Sequence, residues 1–375
     1  MRLLHAVAAL VVIGIAASPS DAQLAGFPPA IEVRVPKPPT VAHGGGGTFL
    51  PYELHVTNLM AQGITLQRVD VLGADHNALL TTLSDSALQG ALARVGARIP
   101  PAERAHVGPG LRAVVYLWVP VDGKPPRAIR HRLTAMPDSG STTPLVLETP
   151  AVPVTTDIAL IAPPLRGGVW FAANGPSATS GHRRAMIPIY GTYYIAQRFA
   201  IDWVKVDEQG RTHTGDSLQN KNYYAYGNNA LAVADGIVTE VKDSIPENVP
   251  GANSRAVPIT LETVGGNHVI IDIGRGRYAF YAHLQPHSIT VHVGDHVTRG
   301  QILGLVGNSG NSTEPHLHFH LSDASSPLGS EGVPYELETL TVIGSCAGFG
   351  EKCDRGHPAV RHREMPFANE LVRFP

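Results

Sequence analysis

The 375-residue sequence predicts an all-β protein of two domains. Glycine (39) and proline (31) are abundant while charged residues make up only 16%, a balance that suits short strands joined by turns. Apolar residues repeatedly alternate with polar ones in short runs bounded by Gly, Pro, Asn or Asp. Helix-period patterns are nearly absent from the second half of the chain.

The elements follow in order. Met1 to His5 is a basic start, residues 6–17 are apolar, and Ser18-Pro19-Ser20-Asp21-Ala22 supplies a small-x-small site. Residues 1–22 therefore read as a secretory signal peptide cut after Ala22. The apolar run is short for a bilayer, so the expected mature protein is secreted or periplasmic and has no membrane span. Residues 23–160 begin with a Pro- and Gly-rich entry that includes Gly44 to Gly47. Strands are expected over 53–57, 64–72, 112–121, 128–135 and 145–147. One short helix is expected over 86–94, with Ser86 and Gln89 as a capping box. That spacing predicts an immunoglobulin-like β-sandwich. The histidines of this half are scattered and read as surface residues.

Ile161-Ala162-Pro163-Pro164 is a stiff joint between domains. A second all-β domain is expected over 165–340, with strands at 230–234, 236–241, 268–273, 278–283 and 301–306. Residues 341–375 read as a tail containing Cys346 and Cys353, the only cysteines. In an exported chain this pair favours a local disulfide over a zinc site, which would lack two ligands. The net charge of −2 and pI near 6.8 give no electrostatic case for nucleic acid.

The chemistry concentrates in Pro315-His316-Leu317-His318-Phe319-His320. On a strand, His316, His318 and His320 share one face and Leu317 and Phe319 the other. Imidazoles aligned on a rigid element suit a metal site. Other segments accompany this one in a fixed order. They are Arg198-Phe199-Ala200-Ile201-Asp202, Ala232 to Val238, Asn267 to Asp272, Tyr281-Ala282-His283-Leu284, Val293 to Gln301, and Gly307-Asn308-Ser309-Gly310. Together they resemble the lysostaphin/LytM-type zinc metallopeptidases, over roughly residues 197–322.

The resemblance implies a strongly curved antiparallel sheet (a duplicated hybrid motif) with one zinc ion in its groove. It implies Asp202 and His318 as metal ligands, His283 and His316 as catalytic residues, and peptidoglycan or another extracellular peptide as substrate. It also exposes a gap. Where the family's first ligand histidine is expected, this chain has Arg198, whose guanidinium stays protonated and has no lone pair to give. His182, His213 and His320 are the candidate replacements, although His320 lies far along the strand from His318. Alternatively, Arg198 pairs with Asp202. Two insertions, 207–229 and 243–257, are expected as loops walling the groove. In the first, Tyr223-Tyr224-Ala225-Tyr226 either packs or contacts substrate.

Three functions compete on these residues. One is a zinc endopeptidase acting on peptidoglycan. Another is a metal-deficient, silent relative that binds cell wall or activates another hydrolase, as Arg198 suggests. The third is a wall adhesin resting on the N-terminal sandwich.

Overall fold

The structure is a computed structural model that describes residues 28–94, 99–251 and 255–375. The expected signal peptide lies outside the described residues. No helix among them is long and apolar enough to cross a membrane.

The long strand Gly47–Asn58 organises the N-terminal half. Leu50, Tyr52, Leu54 and Val56 point inward, as alternation requires, and each is at most 1% exposed. The strand pairs antiparallel with Arg112–Pro120. A second sheet, containing Ile64–Gly73 and Ala128–Pro137, contributes Val69, Val71, Ile129 and Leu133 to the same core. Two sheets on one core is the two-layer arrangement expected of this half.

Two details differ from the sequence reading. The short helix spans Asp85–Ala91, with Ser84 at its N-cap and no side-chain cap bond. Ser86 therefore lies inside the first turn and the expected capping box does not form. The helix ends early because Leu92–Arg94 rejoins the sheet against Arg112–Pro120. The histidines are not all at the surface either. His131 is fully buried, and its Nε2 meets the Tyr52 hydroxyl at 2.7 Å. His55 is buried as well. It belongs with Glu53 to the outward set of the long strand, which here is covered by the second domain.

That second domain is one large sheet with two small two-stranded sheets beside it. Its centre runs Ile201–Val206, Leu317–Ser322, Tyr278–Leu284, Asn267–Asp272 and Gly236–Lys242, each antiparallel to the next. Trp203, Tyr281, Leu317 and Phe319 point to the apolar side and are fully buried in one core with Trp170. Residues 341–375 do not form a tail. The hairpin of Tyr335–Cys346 with Cys353–Glu364 and the strand Glu370–Arg373 extend the sheet, and Glu370–Arg373 pairs with both Tyr335–Cys346 and Val169–Ala173. Val372 and Leu371 are fully buried there, which explains the integration. Cys346 and Cys353 face each other across that hairpin and are disulfide-bonded.

The buried His131 sets an acid limit. Burial pulls its pKa down from 6.5 to about 4. Between those values the unfolded chain binds the proton that the folded chain refuses, so stability is full above about pH 6.5 and falls as the pH drops towards 4. A shift of this size corresponds to roughly 3 kcal/mol. Urea unfolding at pH 7 and pH 4.5 is expected to show a smaller acid loss in His131→Gln than in wild type. Equal losses would contradict this assignment.

Candidate metal and catalytic site

Strand register builds the site. Asp202 on Ile201–Val206 lies directly opposite His318 on Leu317–Ser322, and His318 lies opposite Ala282 on the next strand. Directly opposed side chains have Cβ atoms about 4.5–5.5 Å apart. His318 Nδ1 accordingly sits 2.8 Å from Asp202 Oδ1. His316 enters from just before the strand, with Nε2 3.4 Å from the same oxygen. His283 closes the group, its ring 4.8 Å from that of His316.

His182 supplies the remaining donor. Its Nε2 lies 3.3 Å from Asp202 Oδ2, and its ring stands edge-on to His318 at 4.9 Å. One donor atom each from His182, Asp202 and His318 all lie within 4.8 Å of one another, the sole such group of metal-ligating residues among those described. Two histidines and a carboxylate are a fit donor set for zinc, and a catalytic site keeps its fourth position open. Here the open side faces a groove of about 300 Å³ that also exposes His283, His316 and Arg255.

The ring orientations favour that use. A backbone carbonyl can only accept, so a ring nitrogen facing one must carry the proton. His182 Nδ1 donates to the Asn174 carbonyl at 3.1 Å, which turns Nε2 towards Asp202. His283 Nδ1 donates to the Ser309 carbonyl at 2.8 Å, and His316 Nδ1 to the Glu314 carbonyl at 2.8 Å. Nε2 of His283 is thereby turned to the groove, and Nε2 of His316 to the groove beside the Asp202 carboxylate. Fixing a ligand's tautomer through its other nitrogen is a common device of metal sites. Asn174 has a second contact, its Nδ2 donating to Asp202 Oδ2 at 2.8 Å. This residue adopts a left-handed conformation (φ 49°) in an Asn-Gly-Pro turn. The turn signal was visible in the sequence, its place beside Asp202 was not.

His283 also has positive φ (65°), a costly conformation for a residue with a side chain. The loop beneath it comes close because Gly266 has no side chain. A Cβ there would lie 2.5 Å from Ser309 backbone atoms. The Ser309 carbonyl can thereby reach the His283 ring.

The electrostatics separate the two catalytic candidates. Burial, reinforced by His316 and His318, holds His283 well below the usual histidine value. Burial also opposes a charge on His316. The Asp202 carboxylate and the Glu314 carbonyl outweigh it, so His316 lies above the usual value. Burial likewise disfavours ionised Asp202. His182 and His316 overcome that and hold its carboxyl well below the usual range. Pairs whose environments push their pKa values apart are suited to separate acid and base roles.

The other sequence candidates fall elsewhere. Arg198 does not pair with Asp202. Its guanidinium is buried against Glu53 Oε2 at 2.9 Å, Glu331 Oε2 at 2.6 Å and the Gly332 carbonyl at 3.1 Å. His213 packs on Tyr223, away from the donor group. His320 is outside the donor group as well, but it touches a member of it. Its Nδ1 lies 3.0 Å from His318 Nε2, a contact that strand rise alone made unexpected. The insertions brace one another, with Tyr226 donating to Glu247 Oε2 at 2.9 Å and Asn220 Nδ2 to the Asn248 carbonyl at 3.0 Å. The hydroxyls of Tyr223 and Tyr226 are used inside this wall, so packing is the role of both.

Residues 212–329 match the family model described as Peptidase family M23. Residues 212–329 thus carry a peptidase family M23 domain. The matched stretch contains His283, His316 and His318 and begins after Asp202, so two of the three donors precede it. A 65-residue stretch is 42% identical to the peptidoglycan DD-endopeptidase ShyA of Vibrio cholerae, covering 17% of this chain and 15% of that protein. Over 131 residues the chain is 30% identical to lysostaphin of Staphylococcus simulans, covering 33% of this chain and 26% of that protein. The chain thus spans under a third of the length of either curated relative. Among solved structures, the catalytic domain of the prophage-encoded M23 protein EnpA from Enterococcus faecalis aligns at 24% identity over 46% of this chain and 93% of that one, with a TM-score of 0.27. A superposition this loose adds nothing to the sequence match.

His320 offers a direct check on the M23 site. With a metal on Nδ1 of His318, the Nε2–H of that ring would donate to His320 Nδ1, 3.0 Å away. Removing such an outer partner typically costs 10- to 100-fold in metal affinity. His320→Leu is expected to weaken zinc binding by about tenfold or more, measured by competition with a chromophoric chelator. An unchanged affinity would show that other contacts hold the His318 ring.

Proposed function

We propose that this protein is an exported zinc metalloendopeptidase that hydrolyses peptide bonds in peptidoglycan. One observation carries the reading: His182 stands beside Asp202 and His318 and makes good the donor that Arg198 cannot supply. The substrate class is supported by the matched segments of ShyA and lysostaphin and by the leader-like residues 1–22.

His182 Nε2, one oxygen of Asp202 and His318 Nδ1 would hold the ion. Zinc bound there would supply Lewis acidity towards the scissile carbonyl and an attacking water. The protein's own groups move the protons. His283, kept neutral by burial, presents Nε2 to the groove and takes a proton from the water as general base. His316, which favours its protonated form beside Asp202, stabilises the developing oxyanion by a hydrogen bond from Nε2 and keeps its proton, while the proton taken up by His283 passes to the leaving amine. The Ser309 and Glu314 carbonyls hold both rings at the angle that keeps Nε2 in the groove. Arg255 lines the same groove and would bind carbonyl or carboxylate oxygens of the peptide.

The silent-relative reading rested on an incomplete ligand set and loses that motive once His182 is counted. Purified peptidoglycan incubated with the mature protein is expected to release new free amines, detected by labelling and mass spectrometry of the fragments. Chelation should abolish release and zinc should restore it. His182→Ala and His318→Ala are each expected to reduce the rate at least 100-fold. An active His182→Ala enzyme, or wild type that cuts no peptide bond with zinc bound, would defeat the proposal. His283→Ala offers a separate check. The loss of a general base typically costs 10²–10⁴-fold in rate, and zinc content should stay at the wild-type level.

A further inference from the structure

His182 sits on a helical segment of only four residues, Gly181–Arg184. So short a helix does not hold itself together, and beyond the contacts of His182 with Asn174 and Asp202 it is anchored on the other domain. Arg183, the next residue, is fully buried. Its Nη2 donates to the carbonyls of Tyr52 at 2.9 Å and Leu117 at 2.6 Å. Its Nε donates to Glu53 Oε1 at 3.2 Å. Its guanidinium also lies 5.5 Å from the centre of the Trp118 ring. Arg184 donates to the Gly90 carbonyl at 2.7 Å. Every one of these partners lies in the N-terminal sandwich.

Glu53 is the hub. It projects from the outer face of the long strand Gly47–Asn58, opposite in direction to Tyr52 and Leu54 in the core. One carboxylate oxygen takes Arg183 and the other takes Arg198. Arg198 in turn pairs with Glu331, so two carboxylates balance two guanidiniums in a buried cluster. The arginine that stands where a ligand histidine was expected is thus bound to the same carboxylate as the neighbour of the substitute ligand.

We propose that the N-terminal sandwich completes the metal site, with Glu53 acting through Arg183 and Arg198 as the positioning residue for His182. The inference rests on the three-donor reading above. Metal affinity is then a property of the two docked domains rather than of the M23 domain by itself. The metal and the docking are also reciprocally linked, because a ligand that favours the docked state is itself favoured by it.

The test uses full-length protein stripped of metal, with zinc affinity read by chelator competition and site geometry by the visible spectrum of the cobalt-substituted form. His182→Ala is expected to bind zinc at least 100-fold more weakly than wild type. Glu53→Gln should lose about 10- to 100-fold, the range seen for outer-shell partners of metal ligands, and its cobalt spectrum should move towards that of His182→Ala. Lys37→Met is the control. It removes a different interdomain pair, with Asp323 at 2.7 Å, and should leave affinity and spectrum unchanged. If Glu53→Gln does not fold, Arg183→Lys decides, since it keeps the charge but loses the fork that reaches the two carbonyls and Glu53 together. Zinc should also slow amide exchange along Gly47–Asn58 in the wild type, a readout that needs no variant. Wild-type affinity in folded Glu53→Gln or Arg183→Lys, or unchanged exchange along that strand, overturns the inference and leaves the three-donor site standing. Wild-type affinity in His182→Ala removes the three-donor site and this inference with it.

Discussion

The pairing of Ile201–Val206 with Leu317–Ser322 is the constraint on which the site depends. It sets Asp202 opposite His318, and the apolar side chains on the other face fix that register. Trp203, Leu317 and Phe319 are fully buried. A slip of one residue would turn them to the groove and bury the ligands in the core. Packing energy spent on one face of the sheet therefore positions the chemistry on the other. The groups without a strand to hold them, His182 and Asn174, are tied to this pair through one oxygen of Asp202, Oδ2.

That arrangement divides the work among histidines of similar appearance. His318 and His182 each turn one ring nitrogen towards the Asp202 carboxylate and suit a metal that would replace the proton between them. His283 and His316 have Nδ1 engaged by a carbonyl and suit proton transfer at Nε2, which in His316 lies beside the Asp202 carboxylate. His320 supports His318 from behind. The difference between them lies in what each second nitrogen touches, because an imidazole bonded on one side has only one role left on the other.

Much of this was legible in the sequence, and the limits have physical reasons. The strand carrying His316 and His318 was legible because a period of two is a strong local signal, and Arg198 was legible as a break because guanidinium cannot ligate. His182 was legible only as one of three candidate replacements, since its position is set by Arg183 docking on a distant strand. His320 was set aside on strand rise, but two rings on one face can lean together to 3.0 Å. His131 was taken for a surface residue because alternation alone does not show which polar side chain finds a buried partner, here Tyr52. The last 35 residues looked like a tail because turn-rich strands at a chain end carry little signal until their partners are known.

The central claim is that His182 replaces the missing ligand. Anomalous diffraction at the zinc edge from crystals of the zinc-loaded protein tests it most directly. The account expects one ion about 2.0–2.2 Å from His182 Nε2, an Asp202 oxygen and His318 Nδ1, with its open side towards His283 and His316. An ion held without His182, or bound elsewhere, would contradict it.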